Sequence, residues 1–178
     1  MPSGPQRQGE VLRIAERPVK TPLGVLQVGA SDDAVLYVEL PRRRGSAPRF
    51  ERWLHDRLLS RGDTPVLRAA LTQLREYFAG KRRSFDVPVE PVGTEFQQRV
   101  WKIVAAIPFG ETVSYGAIAD RLGSPVKARA VGAAVGANPI PIIIPCHRVI
   151  GADGSLVGYG GGLRMKIWLL RHEQALLA

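Results

Sequence analysis

One cysteine, Cys146, stands in the whole chain, and His147 and Arg148 follow it directly. Cationic neighbours lower a thiol's pKa and favour the thiolate, the form that attacks carbon. A cysteine, a histidine to take its proton and an acid to orient that histidine would form a nucleophile–base–orienter set. Glu173 is a candidate for the third member, although spacing alone does not select it from the other acids. The same residues carry a plainer reading. A lone cysteine beside Ile142, Ile143 and Ile144 is commonly an inert buried side chain. Pro145 would break a strand there, which puts the thiol at a strand end and not in mid-core. Adjacent strand residues point to opposite faces, so His147 reaches the sulfur only if the backbone turns at Pro145. Both readings stay open on these residues.

The composition narrows the classes. A length of 178 residues suits one compact unit or two small ones, and 45% apolar residues suffice for a core. One cysteine excludes an intrachain disulfide and any multi-cysteine zinc or iron–sulfur site. His55, His147 and His172 are too few and too scattered to suggest zinc, so neither metal nor cofactor is expected. No apolar run approaches a membrane span, and Met1–Glu10 lacks a signal-peptide core. A soluble, cytoplasmic chain with no membrane partner is the expectation. The 25 Lys and Arg against 16 Asp and Glu leave a net charge of +9, most of it arginine. A polyanion is therefore a reasonable partner, though charge alone is a weak signal.

The elements that must position Cys146 follow from periodicity and breakers. VLRIAE, GVLQVGA and AVLYVEL, between Val11 and Leu40, alternate with turn signals and predict three antiparallel strands. Pro41 to Arg49 reads as a basic loop. Phe50 to Ser60 carries a helical stripe at Phe50, Trp53, Leu54 and Leu58. Thr64 and Pro65 open another helix, which Gly80 stops. Phe85 to Val89 is extended, and 90–93 reads as a linker. Thr94 and Gln97 form a capping box for a helix that Pro108 ends. Ser114 caps a short helix to Leu122, and Lys127 to Ala137 make the next, a helix-turn-helix pattern. Ile142–Ile144 is expected to be extended, and a glycine-rich loop, GYGGG, precedes the last helix. The fold class expected is α+β: a small N-terminal α/β domain with a short antiparallel sheet over 1–89, then a mostly helical C-terminal domain over 94–178.

The second helix of that pattern is unusual. Ala128, Ala130, Gly132, Ala133, Ala134 and Gly136 make it nearly smooth, with Arg129 the one prominent side chain. Recognition helices usually carry long polar side chains into the major groove. A smooth helix suits close approach to a narrow groove with an arginine inserted into the base stack. It equally suits tight packing inside the protein, and pattern alone does not decide.

Pro145-Cys-His-Arg-Val149 resembles the active-site signature of the O6-alkylguanine-DNA alkyltransferases, the methylated-DNA–protein-cysteine methyltransferases. The similarity runs in order through FQQRVW, IPFGETVSYG, ARAVGAAVGANP, IPCHRVIG, GYGGG and KIWLLRHE. The first half is similar more loosely, through TPLG and REYFAG. The resemblance implies direct DNA repair by a single-turnover, suicidal methyltransferase. It makes Cys146 the alkyl acceptor, His147 its base through a bound water, and Glu173 the acid that orients His147. Asn138 would hold the turn shaping the site, and Tyr115 would contact the flipped base and its phosphate and help protonate the leaving guanine. Arg129 would fill the gap in the duplex while Ala128, Ala130, Gly132 and Lys127 lie on the helix docked in the minor groove. Tyr159, Val149 and Gly160 would wall the base pocket, and Lys166 would fix its loop. The implied partner is double-stranded DNA containing alkylated guanine, with O4-methylthymine a lesser substrate. A monomer, able to crowd cooperatively on DNA, is implied as well.

Lys127 and Gly160 depart from the family's usual choices. Lys127 stands where a small residue is usual, and Gly160 where some members carry a small polar one. The missing first-half cysteines exclude the family's structural zinc and its metal-bound second acceptor. Cys146 itself argues against the non-catalytic alkyltransferase-like proteins. Two other classes fit some of the residues: a lesion-binding helix-turn-helix protein without chemistry, and a cysteine hydrolase that turns over.

Overall fold

The computed structural model describes residues 13–41, 58–60, 62–123 and 128–176. They divide into two compact units, one running to Val92 and the other starting at Gly93.

The first unit is a four-stranded sheet backed by one helix. Strands β1 (Arg13–Thr21), β2 (Gly24–Ala30) and β3 (Val35–Glu39) form an antiparallel meander, and β4 (Leu58–Ser60) pairs parallel with β1, giving the order β3-β2-β1-β4. The β1–β2 turn closes on Thr21, whose hydroxyl donates to the Gly24 carbonyl at 2.7 Å and accepts from Leu23 N. Helix α1 (Pro65–Phe78) starts where Thr64 accepts from Leu67 N and proline occupies the first turn. Its Leu67, Ala70, Leu71, Leu74 and Tyr77 are buried, and α1 packs on β1, β2 and β3. Opposite Tyr37 in the register stands Gly29, where a Cβ would lie 2.1 Å from the Tyr37 ring. The glycine lets the ring lie across the strand.

The expected helix over Phe50–Ser60 is corrected at its end. Residues 58–60 are β4, because Arg13, Ile14 and Ala15 offer them a free sheet edge. An exposed edge overrides a short stripe, since its backbone groups need partners. The rest of that expected helix, and the basic loop from Arg42, lie outside the described residues.

The second unit is mostly helical. Helix α2 (Glu95–Ala105) begins with the full capping box: Gln97 N donates to Thr94 Oγ1, and Thr94 N donates to Gln97 Oε1. Strand β5 (Val113–Ser114) leads directly into α3 (Tyr115–Arg121), capped by Ser114, whose Oγ accepts from Ala117 N. Helix α4 (Ala128–Gly136) packs against α2 and α3. Trp101 Nε1 on α2 donates to the Ala134 carbonyl at 2.8 Å. Strand β6 (Val149–Ile150) pairs parallel with β5, and α5 (Leu163–His172) ends the described fold.

Ile142–Ile144, expected to be extended, is a tight turn. Ile144 N donates to the Ile140 carbonyl, and Ile142 sits at φ 77°. A β-branched residue is strained in that region. The turn is held because both ends of the Asn138 side chain grip it. Its Oδ1 accepts from Ile140 N at 3.0 Å, and its Nδ2 donates to the Ile144 carbonyl at 2.8 Å.

Candidate active site

The turn delivers the chain to Pro145, after which Cys146–Arg148 make one turn of 3-10 helix. Cys146 N donates to the Ile144 carbonyl and Arg148 N to that of Pro145. Side chains on such a turn fan out at roughly 120° intervals. They do not alternate as on a strand, so the opposite-face objection to a Cys146–His147 pairing does not apply. Cys146 is nearly buried, His147 fully so, and Arg148 is 5% exposed.

His147 and Arg148 converge on one carboxylate. Glu173 caps the C-terminus of α5, where Gln174 turns left-handed (φ 60°) and Ala175 N donates back to the Leu170 carbonyl. His147 Nε2 lies 2.9 Å from Glu173 Oε1. An ionised carboxylate only accepts, so Nε2 carries the hydrogen. His147 Nδ1 has no hydrogen-bond partner among the described residues. Arg148 donates to the same group from Nε to Oε2 at 2.7 Å and from Nη2 to Oε1 at 2.9 Å, and from Nη1 to the Ile107 carbonyl at 2.5 Å. Its guanidinium also lies over the Phe109 ring, 5.9 Å from the centroid. Burial pushes the His147 imidazole below its usual pKa; Glu173 opposes this, and Arg148 and Lys166 add to it.

Cys146 faces other groups. A thiolate there raises both the Tyr115 phenol and the Lys166 ammonium, but burial dominates each, holding Tyr115 above its usual value and Lys166 below. Lys166, wholly buried, donates from Nζ to the carbonyls of Val149 at 2.6 Å, Val157 at 3.0 Å and Gly158 at 3.5 Å. The Tyr115 hydroxyl donates to the same Val157 carbonyl at 3.2 Å. Tyr159 meets His147 edge-on, with centroids 6.5 Å apart. Gly160 is exposed and Val149 buried.

The smooth helix is divided by exposure. Val131, Ala134 and Val135 are buried, while Arg129, Ala130, Ala133, Gly136 and Ala137 face solvent. Ala128 and Gly132 are half-buried, and a Cβ at Gly132 would come within 3.8 Å of the Tyr115 ring. The packing reading thus holds for the buried face, and the exposed face is the smooth one that carries Arg129. Lys127 lies outside the described residues. No described contact brings Arg129 into the cluster around Glu173.

Two members of the site escaped the reading of the residues. The adjacency of Arg148 to Cys146 suggests an effect on the thiol, whereas its guanidinium is directed at Glu173 and Ile107. Val157 carried no signal, because a backbone carbonyl is invisible in a side-chain pattern. Among the described residues, no three His, Cys, Asp or Glu side chains gather as a metal would require.

Fold and site together define a protein with a buried thiol beside an imidazole–carboxylate pair, on a helical unit that shows solvent a nearly smooth helix. Residues 95–175 match the model of the 6-O-methylguanine DNA methyltransferase DNA-binding domain, and residues 15–91 that of its ribonuclease-like domain. The methylated-DNA–protein-cysteine methyltransferase of Methanosarcina acetivorans is 42% identical over 154 residues, 86% of this chain and 94% of the relative. That of Mycobacterium tuberculosis is 57% identical over 113 residues, 64% and 68% of the two chains. A crystal structure of Mycobacterium tuberculosis OGT in complex with DNA superposes with a TM-score of 0.78 at 41% identity, covering 92% of this chain and 94% of that one. The chain belongs to the 6-O-methylguanine DNA methyltransferase family.

Proposed function

We propose that this chain repairs duplex DNA by moving the alkyl group of O6-alkylguanine onto its own Cys146, once per molecule. The observation that carries this reading is the buried thiol on a 3-10 turn whose next residue is an imidazole bonded to Glu173. The target is an sp3 carbon, for which a soft thiolate is the apt nucleophile. The thiol proton passes toward His147, and Sγ bonds to the alkyl carbon as the carbon–O6 bond breaks. The electron pair stays with guanine, a poor leaving group unless protonated. Tyr115, kept protonated by its burial, supplies that proton and recovers one from the His147 side. The net exchange is one alkyl group for one hydrogen. The thioether is stable, so each molecule acts once.

An alkylated base inside a duplex is reachable only by flipping, which costs least when the base is mispaired. The exposed face of α4, nearly featureless except for Arg129, fits a narrow minor groove with Arg129 filling the gap. Tyr159, Val149 and Gly160 wall the pocket, Lys166 fixes the loop over it, and Asn138 holds the turn beneath the thiol. O6-methylguanine is the main substrate, O4-methylthymine a lesser one. The protein works as a cytoplasmic monomer that crowds cooperatively along DNA, and no helix among the described residues is long and apolar enough to cross a membrane.

The test is an intact-mass measurement after incubation with duplex containing O6-methylguanine. A stoichiometric gain of one methyl on Cys146 is expected. Unchanged mass with retained binding would leave a lesion-binding protein, and repeated turnover of an ester or amide would indicate a hydrolase.

A further inference from the structure

Glu173 is placed where a carboxylate is costly. It is 1% exposed and ends a helix, and helix C-termini carry partial negative charge. It nonetheless serves two donor side chains, with Oε1 shared between His147 Nε2 and Arg148 Nη2. A guanidinium never releases its proton in a protein, so Arg148 balances the carboxylate permanently. A proton added to His147 would then leave a buried cluster with surplus positive charge, and Lys166 stands close enough to oppose it too. Gly110 N also points at Glu173 Oε2, at 3.4 Å, so Arg148 and Gly110 between them tie the carboxylate to the 107–110 segment after α2.

We propose that Arg148 is a positioning residue of the transfer reaction: by holding both oxygens of Glu173, it keeps His147 an uncharged imidazole with its Nδ1 lone pair open to receive a proton. The inference rests on the alkyl-transfer reading above. It assigns the residue after His147 a part distinct from that of Glu173. Glu173 orients the ring, and Arg148 adds to the burial that leaves the ring without its second proton. The groups facing His147 are Glu173 and Lys166 from α5, Arg148 from its own turn and Tyr159 from the following loop. Of these, Arg148 is bonded twice to the carboxylate that His147 uses.

The test compares Arg148→Met and Arg148→Lys with the unaltered protein. The single-turnover rate of methyl transfer from duplex O6-methylguanine is followed across pH by intact mass, and the His147 ring is followed by nitrogen NMR. In the unaltered protein His147 should be neutral at pH 7, protonated on Nε2 alone. Removing the guanidinium charge should raise the pH at which His147 charges. The acid limb of the rate profile should move with it, upward by about one unit or more in Arg148→Met. Arg148→Lys keeps a cation and should stay near the unaltered profile. A rate lowered evenly at all pH values, with the limb unmoved, would mean that Arg148 only supports the fold. Should Arg148→Met not fold, an imidazolium at pH 7 in the unaltered protein overturns the proposal, and a neutral ring with the Arg148→Lys limb in place supports it. A protein that takes up no methyl would end the alkyl-transfer reading, while the NMR titration would still decide the state of His147.

Discussion

The two units bury polar side chains in different ways. Among the described residues of the sheet unit they are Ser31 and Gln73, both uncharged and bonded to partners within 13 residues in sequence. Ser31 Oγ accepts from Asp33 N and Ala34 N, and Gln73 pairs with the Asp86 side chain and with its N–H. In the helical unit they are Asn138, His147, Arg148, Lys166 and Glu173, four of them ionisable. There the contacts span sequence separations of 25 and 26 residues between the 3-10 turn and the end of α5, and one buried nitrogen has no bonding partner among the described residues. Closed, neutral polar burial secures a fold. Charged burial with one acceptor left open is costly, and it is the arrangement that proton transfer needs.

The strongest way to sharpen that contrast is Cys146→Ser. Methyl uptake should vanish by intact mass, while the binding constant for duplex DNA and the urea midpoints of both units stay as they were. Next is Glu173→Gln, which leaves the Arg148 charge buried without its counter-ion. A loss of about 3–5 kcal/mol in the helical unit is expected from urea denaturation. The matching change in the sheet unit, Gln73→Leu, should cost only about 1–3 kcal/mol and leave the transfer rate unaltered. Equal costs for the two would break the comparison.

Arg129→Ala probes the exposed side of the helical unit. Transfer from duplex should slow roughly tenfold to a hundredfold, and transfer from the free base little, since only the duplex leaves a gap to fill. Equal losses on both substrates would remove Arg129 from that role. The smallest effects are those of pH on stability. Burial lowers the His147 pKa in the fold, so its contribution is present above the unfolded value of about 6.5 and is lost as pH falls below it. Tyr37, bonded to Glu16, is raised by burial first and by that carboxylate second. Its contribution is present below the unfolded value of about 10 and is lost as pH rises above it. Hydrogen exchange read unit by unit should show the helical unit loosening first in acid and the sheet unit first in alkali.

The residues themselves show much of this. Thr64, Thr94 and Ser114 mark their helix starts because a cap is a local bargain between one side chain and a nearby N–H. The meander is legible from its turn residues. Legibility ends where distant partners decide. Leu58 ends a helical stripe that begins at Phe50, yet Leu58–Ser60 meets a sheet edge that no local pattern reveals. Ile142–Ile144 looks like a strand, yet Asn138, several residues upstream, folds it into a turn. At the site, Cys146 and His147 stand out by type, and Glu173 by resemblance. The use of Arg148 was hidden because adjacency in sequence suggested the thiol as its target, and a 3-10 turn sends neighbours in different directions.

Lys166 has one more consequence. Its ammonium is surrounded by the carbonyls of Val149, Val157 and Gly158, much as an ionophore wraps a metal ion, except that this ion is tethered to α5. Backbone oxygens that point inward together repel one another until a cation arrives. The segment from Val149 to Gly158 thus carries its own resident ion, so its shape depends in part on the charge of one side chain from another element.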